Sequence, residues 1–339
     1  MSAAAGPVAT LIAAYNAAPT LARAIRSALS QPETSEVIVV DDASTDASLQ
    51  IARAEAARDS RVRVLAQSRN QGPAAARNRG LDAATAPVVA VLDSDDWFLP
   101  GRFARLLSRT DWDMIADNVL FGTPTALEAG ARSPQRAVGF EALTAEAFVR
   151  GNLPQAGVAR GELGFLKPLL SRGFLDRHGL RYDPALRLGE DYDLYVRMLL
   201  SGARMTLTRQ AGYAAVVRST SLSARHGAAE LETLHRAVNR HLRAPGLTAG
   251  EAEAMQAQSR LLRRKRDHRV YLDTRRSAGT AAALRFAVGA WARPVPLGLQ
   301  ILRDKLGLSV RAADALPDGG TRLLLPPAGQ ASARLRRDG

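Results

Sequence analysis

Short apolar runs alternate with amphipathic segments along the first hundred residues. The runs at 8–14, 37–40, 62–66 and 88–92 have the length and the β-branched content of buried strands. The segments between them repeat apolar residues every three or four positions, as Leu21, Ile25 and Leu29 do, which is typical of helices. This strict alternation predicts an α/β fold whose mostly parallel sheet is covered by helices on both faces.

Polar side chains follow each of the four predicted strands. In chain order they are Tyr15 with Asn16, Asp41 with Asp42, Asn70 with Arg77, and Asp93 with Asp95 and Asp96. Because the carboxyl ends of parallel strands meet at one edge of a sheet, where such folds bind ligands, we expect these side chains to share a site. Each residue taken singly fits a turn or a helix cap, and only the coincidence of all four groups favours a nucleotide site.

The stretch after the fourth strand brings three carboxylates together within four residues, at Asp93, Asp95 and Asp96. Their mutual repulsion is relieved most simply by a divalent cation. Mg²⁺ and Mn²⁺ bind to one or two carboxylates and leave room for substrate phosphates. We therefore predict a metal site with Asp95 and Asp93 as ligands, completed by a diphosphate. An acidic, solvated loop is the alternative when this motif stands alone.

The other groups at the same edge have chemistry suited to a nucleotide. Asp41 or Asp42 can accept hydrogen bonds from a base or a ribose, Tyr15 can stack on the base, and Asn70 lies beside them. The fixed donors of Arg77 suit a phosphate. No Gly-x-Gly-x-x-Gly follows the first strand and no Walker A lysine motif is present, which excludes the usual dinucleotide and P-loop sites.

A second acidic pair, Glu190 and Asp191, opens an amphipathic helical pattern at 191–200. A carboxylate in this place can remove a proton from an acceptor hydroxyl, which is worth about 10² to 10⁴ in rate. The alternative is that both acids only complement the positive end of the helix. Together with the upstream groups, the pair favours Asp191 as a catalytic base, with Glu190 either orienting it or contacting the acceptor.

The positive charge of the chain is concentrated in its last part. The net charge is +13, and residues 251–339 hold 17 Lys and Arg against 8 Asp and Glu. This part shows helical patterns at 230–242, 249–275, 280–291 and 297–306, but few aromatic residues that could stack on bases, so a nucleic-acid partner is not expected. Peripheral contact with an anionic membrane, a homodimer, and packing against the sheet all stay open for these helices.

Cysteine is absent from the chain, which excludes disulfides and thiol catalysis and suits a reducing compartment. The first residues lack the basic and apolar pattern of a signal peptide, and no run of 18 apolar residues predicts a transmembrane helix. We therefore expect a cytoplasmic location, with peripheral contact at the inner face of the cytoplasmic membrane as an option.

Six stretches of the sequence, taken in order, resemble a known family. They are VATLIAAYN, VIVVDDASTD, NQGPAAARNRG, VLDSDDWFLP, LLSRGFLDRHGLRYD and GEDYDL. The ordered set resembles family 2 glycosyltransferases with the GT-A fold, over roughly residues 8–223. The resemblance implies a Rossmann-like, mostly parallel sheet flanked by helices at 1–227, with a donor half up to about residue 117 and an acceptor half at 118–227. Beyond the region of resemblance, the residue pattern predicts a helical C-terminal extension at 228–320, and the composition predicts a disordered tail at 321–339.

The resemblance also implies roles for individual residues. In the family, the counterparts of Asp41 and Asp42 bind the uracil and ribose region of the donor. The counterparts of Asp93 and Asp95 contact the ribose and hold the metal, and Asp191 resembles the catalytic base. These roles coincide with the ones that the residue types favour.

The match departs from the family pattern in the loops near the base. Ala13 and Ala14 stand where a Pro-Thr pair is common, and Ala43 stands where glycine is common. Further along, residues 218–223, RSTSLS, occupy the place where the family often has a basic residue and serines near the diphosphate. His226 close by is a candidate metal ligand, although a lone loop histidine is more often exposed and idle.

The predicted function is that of an inverting, metal-dependent glycosyltransferase of the hexosyltransferase type, with a UDP-sugar as the donor and Mn²⁺ or Mg²⁺ as the cofactor. The Gln-x-x-Arg-Trp motif and the membrane spans of the family's processive polymerases are not found, which favours single-sugar addition. The acceptor is expected to be a saccharide or a lipid-linked oligosaccharide in bacterial exopolysaccharide or cell-surface glycan synthesis, because the sequence looks closest to succinoglycan-type transferases.

Acceptor specificity is expected to lie on the second half of the chain. Residues 117–163 are rich in Gly, Pro and Arg and predict an irregular insertion there. Lys167 and Arg172 either contact an acidic or lipid-diphosphate acceptor or are solvated surface charges. Two other functions also stay open: a catalytically silent GT-A-like module that binds a nucleotide or a protein, and a hydrolase that uses two carboxylates.

Overall fold

A computed structural model describes residues 6–130, 139–154, 162–217, 227–289, 298, 316 and 320–325. The described residues fall into two units. The first lies within Met1–Phe148, Leu163–Ser219 and Leu316–Gly339, and the second within Val149–Glu162 and Thr220–Ala315. The first unit contains the sheet and the second is helical.

The first four strands and the helices between them follow the predicted alternation. They are β1 (Val8–Ala14), α1 (Leu21–Leu29), β2 (Thr34–Asp41), α2 (Ser48–Arg58), β3 (Val62–Ala66), α3 (Pro73–Ala83) and β4 (Val88–Val91). The strands pair in the order β3-β2-β1-β4, and every one of these pairings is parallel. The carboxyl ends of all four strands therefore lie at one edge, as the sequence predicted.

Apolar residues explain why this half folds as it does. All four residues of β4 are buried, and α1 buries Leu21, Ala24 and Ile25 against the sheet. Helix α3 lies unusually close to β1, because a Cβ on Gly80 would come within 3.2 Å of the Leu11 side chain. This close approach matters for the site, since Arg77 lies one turn before Gly80 on α3.

The second half of the sheet is mixed. Its elements are β5 (Trp97–Phe98), α4 (Arg102–Leu107), β6 (Met114–Gly122), α5 (Pro124–Gly130), β7 (Phe140–Leu143), α6 (Ala145–Arg150), a 3₁₀ turn (Leu163–Phe165), β8 (Leu169–Ser171), α7 (Arg172–Arg177), α8 (Glu190–Leu200) and β9 (Met205–Val216). The sheet continues from β4 as β8-β6-β9-β5, with β8 antiparallel to β4 and to β6, and β9 parallel to β6. Strand β7 pairs with β9.

The prediction of an irregular insertion beginning at residue 117 is wrong for its first part. Strand β6 continues to Gly122, and all nine of its residues are buried. The pattern was hidden because β6 contains the buried polar residues Asp117 and Asn118. Helices α5 and α6 and strand β7 are regular as well, whereas residues 131–138 and 155–161 lie outside the described residues.

Buried ion pairs hold the polar part of β6. Arg102 on α4 is fully buried, and its Nη2 lies 2.9 Å from Asp117 Oδ1, while Arg105 Nη2 lies 3.1 Å from Asp117 Oδ2. The guanidinium of Arg102 also faces the ring of Phe98, 4.7 Å from its centroid. We call Arg102, Arg105 and Asp117 the Arg102 cluster. Its ion pairs compensate for the hydration that these three charged side chains lose on burial.

A short strand from the end of the chain completes β6. Strand β10 (Arg322–Leu323) pairs antiparallel with Leu120 and Phe121, and Asn118 Nδ2 donates to the Leu325 carbonyl at 2.8 Å. The predicted disordered tail at 321–339 is therefore wrong at its start, because these residues add to the sheet and bury Leu324 and Leu325. Residues 326–339 lie outside the described residues.

The helical unit consists mainly of α9 (Ala228–His241) and α10 (Ala249–Val288), where helices were predicted at 230–242 and 249–275. Gly279 interrupts α10 with φ 84° and ψ 173°, a conformation that favours glycine. Ala283 and Ala287 pack against Tyr271, so the chain turns back on itself after Gly279. The predicted helix at 297–306 lies outside the described residues, apart from residue 298. None of the described helices is both long and apolar enough to cross a membrane.

Candidate active site

The loops after β1, β2 and β3 are joined to one another at the carboxyl edge of the sheet. The Asp42 N–H donates to the Ala14 carbonyl at 2.8 Å, and the Gln67 N–H donates to the Asp41 carbonyl at 2.8 Å. Beside them, β4 delivers Asp93, whose N–H donates to Tyr213 Oη at 3.1 Å. The structure thus brings the predicted polar groups to the same edge.

Arg77 joins the donor half of the sheet to the start of α8. Its Nη2 donates to Asp93 Oδ1 at 2.7 Å, and its Nη1 donates to Glu190 Oε1 at 2.8 Å and Asp191 Oδ1 at 3.2 Å. The Arg77 side chain is 5% exposed, and its guanidinium faces the ring of Tyr182 at 5.4 Å. One arginine therefore connects carboxylates that are about a hundred residues apart in the sequence.

Lys167 joins the same carboxylates from the other side. Its Nζ lies 2.6 Å from Asp191 Oδ2 and 2.9 Å from Asp93 Oδ2. We call Arg77, Asp93, Lys167, Glu190 and Asp191 the charge cluster. It contains two positive and three negative groups, so it has a formal surplus of one negative charge.

The electrostatics of the charge cluster keep Asp93 and Lys167 ionised. Burial raises the pKa of Asp93, but the nearby charges of Lys167 and Arg77 outweigh this effect and hold the pKa well below its ordinary value. Burial lowers the pKa of Lys167, but Asp191 and Asp93 outweigh it and raise the pKa above its ordinary value. Asp93 and Lys167 are therefore both charged at neutral pH, and each stabilises the charge of the other.

Asp96 holds the loop in place and is not exposed to a ligand. It is buried, and its Oδ1 accepts a hydrogen bond from the Val216 N–H at 2.8 Å. Burial raises the pKa of Asp96 well above its ordinary value, and the negative charges of Asp95 and Asp93 add to the shift. The raised pKa therefore favours the protonated, neutral form of this buried carboxyl group.

Asp95 is held in the loop through its main chain. Its carbonyl accepts a hydrogen bond from Arg23 Nη2 at 3.0 Å, and the Arg23 guanidinium lies 4.0 Å above the ring of Trp97. The Asp95 side chain is partly exposed. A carboxylate oxygen at this edge is the kind of ligand that Mg²⁺ and Mn²⁺ prefer, so the chemistry of Asp95 fits a metal ligand.

Asp93, the second predicted ligand, fits a metal less well. Both of its carboxylate oxygens are already bonded, one to Arg77 and the other to Lys167. Within the described part of the chain, no three His, Asp or Glu side chains are grouped so as to hold a metal ion. A metal bound here would take Asp95 as its protein ligand and most of its other ligands from water or from a substrate.

Asp42 holds a loop instead of facing an open space. Its carboxylate accepts hydrogen bonds from Gln67 Nε2 at 2.5 Å, the Gln71 N–H at 2.8 Å and the Gly72 N–H at 2.7 Å. Asn70 belongs to the same loop and donates to the Asp42 carbonyl at 3.3 Å. Sequence reasoning could not separate Asp41 from Asp42, because the partners of Asp42 come from the loop after the next strand.

Asp41 and Tyr15 keep groups that a ligand could use. Asp41 Oδ2 accepts a hydrogen bond from the Ser44 N–H at 3.2 Å, while its Oδ1 is buried and has no hydrogen-bond partner among the described residues. Tyr15 is 51% exposed, which is unusual for so large a ring. An acceptor atom and an aromatic face are thus present near the ends of β1 and β2.

The backbone is strained at this edge. Asn16 has φ 50° and Ala43 has φ 60°, in the left-handed region that residues other than glycine rarely adopt. Asn16 Oδ1 accepts a hydrogen bond from the Thr45 N–H at 2.8 Å, which ties the two loops together. The substitution of alanine for the family's common glycine at position 43 therefore has a conformational cost.

Lys167 is the main residue whose position sequence reasoning missed. A solvated surface position, one of the two alternatives, is wrong, because Lys167 is 7% exposed and follows the fully buried Leu166. The signal in the sequence is weak: a lysine within the apolar stretch FLKPLL, in a chain otherwise rich in arginine. Apolar neighbours indicate burial, and a buried lysine requires carboxylate partners.

Arg172, another candidate, is not part of the charge cluster. Arg172 donates to the carbonyls of Thr85 and Ala86 at 3.0 and 2.9 Å, at the amino end of β4 and therefore at the opposite edge of the sheet. Residues 218–223 and His226 lie outside the described residues.

Comparisons with known proteins agree with this geometry. A sequence profile described as "Glycosyl transferase family 2" matches residues 10–133. The succinoglycan biosynthesis protein ExoU of Rhizobium meliloti (strain 1021) is 44% identical over 282 residues, which cover 83% of this chain and 82% of that protein. The succinoglycan biosynthesis protein ExoO of the same organism is 40% identical over 219 residues, covering 63% and 61% of the two chains.

Solved structures show the same fold at low sequence identity. Residues 1–349 of S. aureus TarS in complex with UDP-GlcNAc give a TM-score of 0.57 at 19% identity, covering 74% of this chain and 70% of that one. The mannosyltransferase PcManGT from Pyrobaculum calidifontis, in complex with GDP-Man and Mn²⁺, gives a TM-score of 0.56 at 17% identity, covering 89% and 81%. The α/β sheet with flanking helices is therefore the GT-A fold, as the resemblance implied.

Proposed function

Since the chain belongs to glycosyl transferase family 2, we propose that this glycosyltransferase moves one sugar from a UDP-sugar to a hydroxyl of a saccharide or lipid-linked oligosaccharide. The observation that carries the proposal is the charge cluster, which joins the predicted donor residue Asp93 to the predicted base Asp191. An enzyme that transfers a sugar must bring the donor and the acceptor hydroxyl to one place. The charge cluster lies where the two halves of the sheet unit meet.

The donor would bind across the loops after β1 and β2. Asp41, with its unpaired buried oxygen, would accept a hydrogen bond from the base or the ribose, and the exposed ring of Tyr15 would stack on the base. Asp42 and Asn70 would act indirectly, because they shape the loop that precedes α3. Arg77 would orient carboxylates rather than face a phosphate, since its Nη atoms already bind three of them.

Asp95 would hold the divalent cation, Mn²⁺ or Mg²⁺. Such a cation, when bound, acts as a Lewis acid that stabilises the departing diphosphate. Arg23 would fix the main chain of Asp95 through its carbonyl, and Asp96 would anchor the other end of the loop on Val216. These contacts hold the loop in the shape that presents the Asp95 carboxylate at the sheet edge.

Asp191 would accept the proton of the attacking hydroxyl. Lys167 and Arg77 fix its two oxygens, and its position in the first turn of α8 adds the positive end of a helix dipole. Glu190 would share Arg77 with it and thereby set its orientation. Attack from the side of Asp191, opposite to the leaving diphosphate, would invert the configuration at the anomeric carbon.

The cellular role that we propose is exopolysaccharide or cell-surface glycan assembly in a bacterium. It is supported by the 44% identity to a protein named for succinoglycan biosynthesis. The donor sugar would come from the cytoplasm. The exposed basic residues of α10, among them Arg263, Arg264 and Lys265, favour contact with an anionic membrane surface that carries a lipid-linked acceptor. Vesicle sedimentation with and without anionic lipid tests this contact, and sedimentation velocity tests for a homodimer.

The first experiment is calorimetric titration with UDP, GDP and a panel of UDP-sugars, with and without Mn²⁺. We expect UDP to bind in a metal-dependent way and Asp95→Ala to abolish that dependence. Glu128→Gln, which alters an exposed carboxylate on α5, is the matched control and should bind as the wild type does. Absence of any nucleotide binding would contradict the proposal.

A turnover assay separates the remaining alternatives. Incubation with a radiolabelled UDP-sugar and a lipid extract should give a labelled product only when an acceptor is present. Label released to water at the same rate without acceptor would indicate a hydrolase. Nucleotide binding without any release or transfer would indicate a catalytically silent module.

A further inference from the structure

The amine of Lys167 lies between two carboxylates that belong to different parts of the sheet unit. Asp93 follows β4 in the donor half, and Asp191 begins α8 in the acceptor half. Lys167 Nζ contacts both, at 2.9 and 2.6 Å, and its side chain is 9% exposed. A lysine so deeply buried is rare without paired carboxylates, and here it has two.

The main chain of Lys167 is fixed as firmly as its amine. Arg102 Nη2 donates to the Lys167 carbonyl, while the same guanidinium binds Asp117. Arg102 and Asp117 are both fully buried. The Arg102 cluster therefore anchors the backbone from which the Lys167 side chain extends to Asp93 and Asp191.

This arrangement changes what Asp93 can bind. Arg77 Nη2 lies on its Oδ1 at 2.7 Å and Lys167 Nζ on its Oδ2 at 2.9 Å. A divalent cation at this carboxylate would have to displace one of the two positive groups or lie beside both, and like charges repel strongly at such distances. The carboxylates that Arg77 and Lys167 bind in these ion pairs are those of Asp93, Glu190 and Asp191.

We propose that Lys167 is a positioning residue that aligns Asp93 with Asp191 and, as a built-in counter-ion, keeps Asp93 from binding a divalent cation before a nucleotide is bound. The metal would then bind together with the diphosphate, whose oxygens add the ligands that Asp95 alone does not supply. The role of the nucleotide in this sequence rests on the proposed function, whereas the effect of Lys167 on metal binding can be measured without any nucleotide.

The test is Mn²⁺ binding to the nucleotide-free full-length protein, followed by the electron paramagnetic resonance signal of free Mn²⁺. Lys167→Met removes the charge and keeps most of the side-chain volume. We expect this variant to bind Mn²⁺ about tenfold or more tightly than the wild type, the scale on which groups around a metal site change its affinity. Lys167→Arg should restore weak binding, because it returns the positive charge.

Two further variants make the result specific. Lys265→Met removes a half-exposed lysine of the helical unit and should bind Mn²⁺ as the wild type does. Asp93→Asn added to Lys167→Met should cancel the gain, because the new affinity depends on the released Asp93 carboxylate. Equal Mn²⁺ affinity of Lys167→Met and the wild type, or a gain that persists after Asp93→Asn, would overturn the proposal.

Thermal unfolding covers the case in which Lys167→Met folds poorly. Loss of the amine removes one of the two cations that Asp93 and Asp191 share, so the midpoint of unfolding should fall, and Mn²⁺ should raise it by more in the variant than in the wild type. Lys167→Gln gives the same comparison with a polar side chain. A midpoint that responds equally to Mn²⁺ in the variants and in the wild type contradicts the counter-ion role.

The two proposals fail in different ways. If the wild type binds no UDP with or without Mn²⁺, the proposed function is wrong, yet the nucleotide-free Mn²⁺ titrations still decide the role of Lys167. If UDP binds but Lys167→Met gains no Mn²⁺ affinity, the glycosyltransferase proposal stands and the inference about Lys167 is wrong.

Discussion

Two buried groups of charges lie in the same sheet unit and differ in how complete they are. In the Arg102 cluster, Asp117 and Arg102 are 0% exposed, and Asp117 is bonded to two arginines. In the charge cluster, three carboxylates share two cations, and Asp93 is 31% exposed. The Arg102 cluster, with two arginines for one carboxylate, belongs to the framework. The charge cluster, with its surplus negative charge, lies at the edge where we propose that ligands bind. Burial alone does not distinguish them, but charge balance and access do.

The largest expected effect is on turnover, from Asp191→Asn in the charge cluster. Asparagine keeps the shape but cannot accept the proton, so kcat should fall by about 10² to 10⁴. The UDP dissociation constant should change little, because the proposed donor contacts do not include Asp191. The measurement is product formation alongside calorimetric UDP binding, with Glu128→Gln as the control. Unchanged kcat would remove Asp191 as the base.

The next effect concerns stability and comes from Asp117→Asn in the Arg102 cluster. Removing one partner of a buried ion pair leaves uncompensated charge, so the free energy of unfolding should fall by about 3 to 5 kcal/mol. The measurement is urea denaturation. Replacing Arg102 together with Asp117, as Arg102→Met with Asp117→Leu, should recover part of the loss, because the desolvation cost of these two charges disappears while Arg105 still loses its partner. If the double variant is no more stable than Asp117→Asn, the pair is not a simple framework element.

A smaller effect separates Asp42 from Asp41, which are neighbours at the ligand edge. Asp42→Asn should lower the free energy of unfolding by about 1 to 3 kcal/mol, because the loop donors lose a charged acceptor. Asp41→Asn should instead weaken UDP binding by about 10- to 100-fold, the worth of a hydrogen bond to a charged group. Denaturation and calorimetry on both variants provide the check. The reverse assignment of effects would show that Asp42 contacts the nucleotide.

The smallest expected effect is a change in stability that comes from backbone strain. The two regions differ in strain as well as in charge balance and exposure. The non-glycine residues with positive φ in the described ranges, Asn16 and Ala43, both lie in the ligand-edge loops. Ala43→Gly should raise the free energy of unfolding by up to about 1 kcal/mol, since relief of strain exceeds the added chain entropy. Ala54→Gly, at an exposed position inside α2, should lower it by about 1 kcal/mol. A loss of stability in both variants would contradict the idea of strain at Ala43.

The sequence predicted the donor half of the sheet well because its strands are mainly apolar runs followed by polar residues. Strands β1 and β3 begin and end where the pattern placed them, at 8–14 and 62–66. The second half was harder, because β6 contains Asp117 and Asn118, whose partners Arg102 and Leu325 are distant in the sequence. In a sequence pattern, a polar residue indicates a loop, because its buried partner elsewhere in the chain is not visible in that pattern.

The candidate site shows the same limit. Residue types, element ends and the family resemblance were enough to propose Asp93 and Asp191 as site residues, and the structure brings both to the charge cluster. They were not enough to reveal that Lys167 lies between them, or that Asp42 is already engaged by Gln67 and Gly72. Those facts depend on which side chains face each other across the fold, and no local pattern encodes them.

The late pairing of β10 with β6 has a consequence for the synthesis of the protein. Asn118 and Leu325 are 207 residues apart, so β6 leaves the ribosome long before the segment that completes it. At translation rates of about 5 to 20 residues per second, the interval is on the order of 10 to 40 seconds. During this time the nascent chain can form the pairings among β1 to β4, while the Asn118 side chain lacks its hydrogen bond to the Leu325 carbonyl. The last pairing of the sheet thus forms well after the other strands of this unit have been synthesised.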